Sequence, residues 1–226
     1  MKLLLTSGGV TNERIHSALV ALLNKPLSEA SALVIPTASY GFPGGAHSAW
    51  KIISGRAASP LVELGWGRVG VLELTALSSI DRDQWVAEVE QADALLVGGG
   101  DPLYLAYWMR ESGLADLLPT LDDTVYVGVS AGSIVMGPCV GGDVSGLSPL
   151  NGGDATVGIV DFAIFPHLDH PEMPDFSMER AEKWAAGLRS PGYAIDDATA
   201  ITVVDGVVTV ISEGQWRATT APVAEH

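Results

Sequence analysis

The stretch Asp123-Thr124-Val125-Tyr126-Val127-Gly128-Val129-Ser130-Ala131-Gly132-Ser133-Ile134-Val135-Met136 decides how the rest of the chain is read. Val125 to Val129 is a β-branched run with the composition of a buried strand, and it passes at once into Ser133 to Met136, which reads as helix. Between the two stands Gly128-x-Ser130-x-Gly132. A strand that turns directly into a helix holds its apex residue in a strained backbone conformation, and bulk at either neighbour would clash. Ser130 would then stand clear of both elements as a candidate nucleophile. The N–H of Ala131 and the positive end of the following helix would face a developing oxyanion. The pattern is short, and Gly and Ser also make strand-to-helix turns that carry no chemistry, so its surroundings must decide.

Those surroundings repeat one unit. Lys2 to Thr6, Ala32 to Pro36, Val69 to Leu74 and Asp93 to Val97 read as continuously apolar strands. Asn12 to Leu23, Asp81 to Ala92, Leu103 to Glu111 and Asp175 to Leu188 have helical spacing, with Ser79 or Asp81 as the N-cap of the second. Thr37 to Ser48 reads as a Gly- and Pro-rich loop, and Pro138 to Asp154 as a surface excursion. Asp205-Gly206 between Ala200 to Val204 and Val207 to Ile211 is a hairpin signal. Strands alternating with helices predict an α/β fold with a mostly parallel sheet covered on both faces, and the hairpin adds antiparallel strands at the C-terminus.

The 226 residues are 47% hydrophobic, enough for one large domain over 1–226 with a sheet buried on both sides. A formal charge of −15 without a basic cluster argues against nucleic acid and anionic membranes as partners and leaves small molecules or short peptides. The single Cys139 excludes an internal disulfide framework, and Met1 to Leu5 is too short an apolar run for a signal peptide or a membrane span, so a cytoplasmic location is expected. Gly8-Gly9 follows a strand but lacks the spacing of a nucleotide-binding loop, and no cofactor or metal is expected. The oligomeric state, a homodimer included, stays open.

Active sites in such folds lie at the carboxyl ends of the strands. Gly98-Gly99-Gly100 sits at one such end, and an N–H of Gly99 or Gly100 is a candidate second oxyanion donor beside Ala131. Val157 to His167 contains a strand read as ending in a histidine; His167 is the candidate general base, with His170 as its neighbour and competitor. His47 and His226 read as solvated, and His16 belongs to a helical pattern. Asp196 and Asp197 end a further strand, where one of them would orient His167 or both would simply make a turn.

Taken together, Leu4-Leu5-Thr6-Ser7-Gly8-Gly9, Ile35-Pro36-Thr37-Ala38-Ser39, Val97-Gly98-Gly99-Gly100-Asp101, Gly128-Val129-Ser130-Ala131-Gly132-Ser133, Phe165-Pro166-His167 and Ile195-Asp196-Asp197-Ala198-Thr199-Ala200 span nearly the whole chain. In their order and spacing the sequence resembles the peptidase E family of serine peptidases, which includes aspartyl dipeptidases and is related to cyanophycinases. The resemblance implies a three-layer α/β/α sandwich similar to class I glutamine amidotransferases, with Ser in place of their Cys. It also implies a catalytic triad of Ser130, His167 and Asp197.

Two departures qualify what the resemblance carries over. Members of the family have Glu at the position matching Asp197, so the shorter Asp requires a closer backbone, and Asp196 and Asp143 stay open as the acid. Aspartyl dipeptidases hold the substrate's Asp with an Arg after the histidine, where this chain has Asp175-Phe176-Ser177-Met178 and the nearest arginine is Arg180. Without that guanidinium fork, strict Asp specificity is not expected. The reading is a serine exopeptidase, an aminopeptidase or dipeptidase acting on short peptides through an acyl-enzyme. Its alternatives are a cyanophycinase-like amidase, for which the acidic excess would supply an Arg- or Lys-binding pocket, and a non-catalytic binding module.

Overall fold

A computed structural model describes residues 1–142, 146–147, 150 and 153–219. Five parallel strands form most of the main sheet: β1 (Lys2–Thr6), β2 (Ser31–Ile35), β3 (Arg68–Val71), β4 (Ala94–Val97) and β5 (Val125–Val129). β8 (Thr199–Val204) and β9 (Val207–Ser212) close one edge antiparallel, giving the order β3-β2-β4-β5-β1-β8-β9. The Asp205-Gly206 turn has φ values of 50° and 77°, and Val204 faces Val207, so this is the two-residue hairpin expected from its sequence.

The central strands are buried because alternate residues feed different cores. Leu3, Leu5, Leu33, Ile35, Leu95, Val97 and Tyr126 pack on one side with α3 (Arg82–Gln91), α4 (Pro102–Glu111) and α5 (Leu114–Leu117). Leu4, Val34, Leu96, Val125 and Val127 pack on the other against α1 (Glu13–Leu23) and the inner residues of α2 (Gly45–Ile53). Two buried faces explain why the strands read as unbroken apolar runs. In α1 the side chain of Asn12 accepts from the N–H of Ile15, and Ile15, Leu19, Leu22 and Leu23 form the stripe that meets the sheet.

Several expectations need correction. The stretch read as loop from Thr37 to Ser48 holds a 3₁₀ turn (Thr37–Gly41) and the start of α2, which has no side-chain N-cap to signal it. β3 is an edge strand with Val69 and Val71 exposed, and it stops before Leu72. The C-terminal half also builds a second sheet, ordered β10-β7-β6, from β6 (Ala163–Phe165), β7 (Gly192–Ile195) and β10 (Trp216–Thr219). The stretch predicted as a helix from Asp175 is a 3₁₀ turn (Pro174–Phe176) followed by α7 (Met178–Ala186), capped by Ser177.

Adjacent β2 and β4 send their connections in opposite directions, β2 outward to β3 and β4 inward to β5, which opens a crevice at their carboxyl ends. β5 enters α6 (Ala131–Ile134) at that same end, and α6 is a single turn beginning two residues earlier than the helix read from sequence. A Cβ on Gly128 would lie 2.5 Å from the carbonyl oxygen of Gly132, and one on Gly132 would overlap the carbonyl oxygen of Val97. Gly128→Ala and Gly132→Ala should each therefore lower stability by about 1–3 kcal/mol through overpacking. Urea unfolding checks this, and wild-type midpoints for both would contradict it.

Candidate active site

Ser130 stands at the apex of the β5–α6 turn with φ 52° and ψ −111°, a backbone conformation that only a fully determined surrounding sustains. Its N–H donates to the carbonyl of Thr6 at 3.1 Å, and its carbonyl accepts from the N–H groups of Ser133 and Ile134 at 2.8 and 2.9 Å. The hydroxyl of Ser133 adds a 2.7 Å bond to the same Thr6 carbonyl. β1 and α6 thus clamp the turn from both sides. Because α6 is one turn long, its dipole is slight, and individual backbone N–H groups matter more than the helix as a whole.

His167 lies two residues beyond β6, past Pro166, rather than at the strand's last position. Its φ is 56°, and its backbone N–H donates to Ser7 Oγ at 2.7 Å. From there the ring reaches both ways: Nε2 is 2.9 Å from Ser130 Oγ, and Nδ1 is 2.7 Å from Asp197 Oδ1. Phe176 packs edge-on against the ring at 5.6 Å. The imidazole side chain is 13% exposed and that of Asp197 32%.

Asp197 follows β7 and is held closely. Thr11 Oγ1 donates to its carbonyl at 2.6 Å, and Ser7 Oγ donates to its Oδ1 at 2.6 Å. A Cβ on Gly8 would be 2.7 Å from Asp197 Cβ, so the bare glycine lets Asp197 approach the end of β1. Burial alone would raise the pKa of this carboxyl. Hydrogen bonds from His167 and Ser7, with the nearby charges of His167 and His170, outweigh burial and hold it below the usual range.

The competitors occupy other positions. Asp196 Oδ1 accepts from Ala198 N at 3.1 Å and Thr199 Oγ1 at 2.6 Å, and its Oδ2 accepts from Gln215 N, so it pins the turn to β10. Asp143 and His226 lie outside the described residues. His170 Nδ1 accepts from the Glu172 N–H, and its Nε2 is 3.6 Å from Asp197 Oδ2, placing this ring on the acid rather than on Ser130. His47 is exposed and stacks on Trp50 at 5.5 Å. Burial and Asp154 push the Cys139 thiol up in pKa, away from a reactive thiolate.

A cleft of about 340 Å³ opens on Ser130 and His167 and is lined by Gly98, Gly99 and Gly100. No described residue accepts a hydrogen bond from the N–H of Gly99, Gly100 or Ala131. Phe42, Ile52, Leu61 and Met173 give the cleft an apolar wall, and Lys51 is its one Lys or Arg. None of the described residues that line it is acidic. Arg180 instead pairs with Asp175 at 3.0 Å on an exposed surface and does not line the cleft. Among the described residues no group of His, Cys, Asp or Glu is placed to hold a metal, and no helix is long and apolar enough to cross a membrane.

The model of peptidase family S51 matches residues 3–211. This chain belongs to that family. It is a serine peptidase by membership, consistent with the peptidase E resemblance of its motifs. Its fold is shared by solved structures, two of which follow. One is a protein described as a candidate peptidase E from Listeria monocytogenes EGD-e, with TM-score 0.66, 18% identity, and coverage of 94% of this chain and 98% of that one. The other is a peptidase from an acI-B1 Actinobacterium, with TM-score 0.69, 21% identity, and coverage of 98% and 95%. No curated protein matches the sequence.

Sequence reading missed Ser7, which looked like part of a plain Gly-rich turn, and the apolar wall, whose Phe42 and Met173 come from segments without periodicity. Two outcomes separate the adjacent acids. Asp196→Ala should cost about 1 kcal/mol by removing the acceptor of three hydrogen bonds, two part-buried and one exposed. Because the carboxyl of Asp197 is depressed in the fold, its stabilisation relative to Asp197→Asn should be present above about pH 4 and decline as pH falls through the lowered value. Urea midpoints against pH check both, and a constant difference down to strong acid would contradict the second.

Proposed function

We propose that this S51 peptidase removes the N-terminal residue from short peptides through an acyl-enzyme on Ser130. The observation that carries the reading is the unbroken chain from Ser130 Oγ through the His167 ring to Asp197, with contacts of 2.9 and 2.7 Å. His167 Nε2 takes the hydroxyl proton as Oγ attacks the scissile carbonyl, and Asp197 holds Nδ1–H and stabilises the imidazolium that forms. The carbonyl oxygen turns toward the N–H of Ala131 and the N–H of Gly99 or Gly100, whose lack of side chains allows close approach. The imidazolium then protonates the leaving amine. Water, activated by the same ring, hydrolyses the ester.

Specificity for an N-terminal Asp finds no support in the cleft, since no arginine lines it and its wall is apolar. Lys51 offers a point charge without the two-pronged geometry that reads a carboxylate. Peptides beginning with uncharged residues should be cleaved at rates comparable to or above those beginning with Asp. A free amino terminus should be required.

Three outcomes test the assignment. Ser130→Ala should lose several orders of magnitude in kcat with its fold intact; near-normal turnover, contaminants excluded, would overturn the serine mechanism. Asp197→Asn should lower kcat by roughly 10⁴, the cost of the same change in Ser-His-Asp proteases, whereas Asp196→Asn and Asp143→Asn should lose far less. Asp197→Glu should be impaired by about 10²-fold, because the acid already presses on Gly8 and an added methylene misplaces the carboxylate by about 1 Å. Hydrolysis of N-acetylated peptides would count against an exopeptidase.

A further inference from the structure

We propose that Ser7 is a positioning residue of this site, a clamp whose single hydroxyl joins the backbone of His167 to the carboxylate of Asp197. The inference rests on the serine mechanism proposed above. Ser7 lies one residue beyond β1 and is fully buried. Its one proton goes to Asp197 Oδ1 at 2.6 Å, since an ionised carboxylate can only accept. Its lone pair therefore takes the His167 backbone N–H at 2.7 Å. At 3.4 Å, His167 Nδ1 is too far from Ser7 to compete with its 2.7 Å bond to Asp197.

Two consequences follow from this geometry. A histidine at φ 56° needs its N–H satisfied by something other than regular structure, and Ser7 does so from the strand that also holds Ser130 through Thr6. Nucleophile, base and acid are thereby referred to one rigid element. Oδ1 of Asp197 also receives two donors, Ser7 O–H and His167 Nδ1–H, so less of its negative charge is left to favour the imidazolium. Removing the hydroxyl should make His167 more basic as well as less well placed. Among the described residues the ring also meets Ser130, His170 and the edge-on Phe176; of the other titratable groups beside the acid, His170 stands on Oδ2 while the adjacent Asp196 turns to Ala198, Thr199 and Gln215.

The test uses a fluorophosphonate probe, whose rate of reaction with Ser130 against pH reports the free enzyme's base without needing a known substrate. Ser7→Ala should react about 10- to 100-fold more slowly, with the acidic limb of the profile moved to higher pH. Ser7→Cys, nearly isosteric and only a weak donor, should fall between. If circular dichroism shows Ser7→Ala unfolded, Ser7→Cys is read in its place. A purely structural role predicts slower labelling in proportion to lost folded protein with the limb unmoved, and that result overturns the clamp. So does a limb that stays put, moves to lower pH, or vanishes in His170→Gln. Wild-type protein left unlabelled overturns the serine mechanism and the clamp together, whereas labelled wild type with an unchanged Ser7→Ala overturns the clamp alone.

Discussion

The positive φ of Ser130 is the constraint on which the rest of the site depends. An L-residue in that conformation costs about 1–3 kcal/mol, so the turn persists only where neighbouring bonds leave it no alternative. Thr6 provides most of them. Its carbonyl accepts from Ser130 N–H and Ser133 O–H, while its own hydroxyl donates to the Gly128 carbonyl at 2.7 Å and accepts from Gly9 N–H at 3.1 Å. The parallel pairing of β1 with β5, which sets Thr6 opposite Val129, brings these groups into register. A slip of one residue would send the hydroxyl of Thr6 to the opposite face of the sheet.

The second requirement is that two sheets meet accurately. Ser130 comes from the main sheet, whereas His167 and Asp197 leave strands of the smaller one. The seam between them is stitched at the start of the chain: Ser7 to both partners, Thr11 to the Asp197 carbonyl, and Asn12 Nδ2 to the Ala198 carbonyl at 2.9 Å. Gly8 makes room at the same place. The Asp197 carboxylate reaches the ring because the backbone here lies against β1.

Much of this was legible in the sequence where local chemistry and global fold agree. The buried strands announced themselves by composition because both their faces are covered, and the elbow did so because its clashes demand glycine at fixed offsets. The adjacent carboxylates were harder to separate, since Asp196 and Asp197 are identical in type and differ only in which side of the turn faces the ring. The second sheet was not visible as such: β6 has three residues, β10 follows a turn without a strong signal, and pairing between strands far apart in the chain leaves no periodic trace. α2 was lost to its glycine-rich start, and Ser7 because its partners lie 160 and 190 residues away.

The cleft itself narrows the chemistry. Its described lining is apolar on one wall, is glycine beside Ser130 and includes no carboxylate, which supports the uncharged specificity proposed above. Intact-mass spectrometry of enzyme acid-quenched during turnover of a short unblocked peptide tests the account most directly, because it traps the covalent species itself. The account predicts an adduct equal to one aminoacyl group, mapping to Ser130 after digestion. An adduct on Cys139, an acyl group longer than one residue, or turnover without any covalent adduct under rate-limiting deacylation would contradict it.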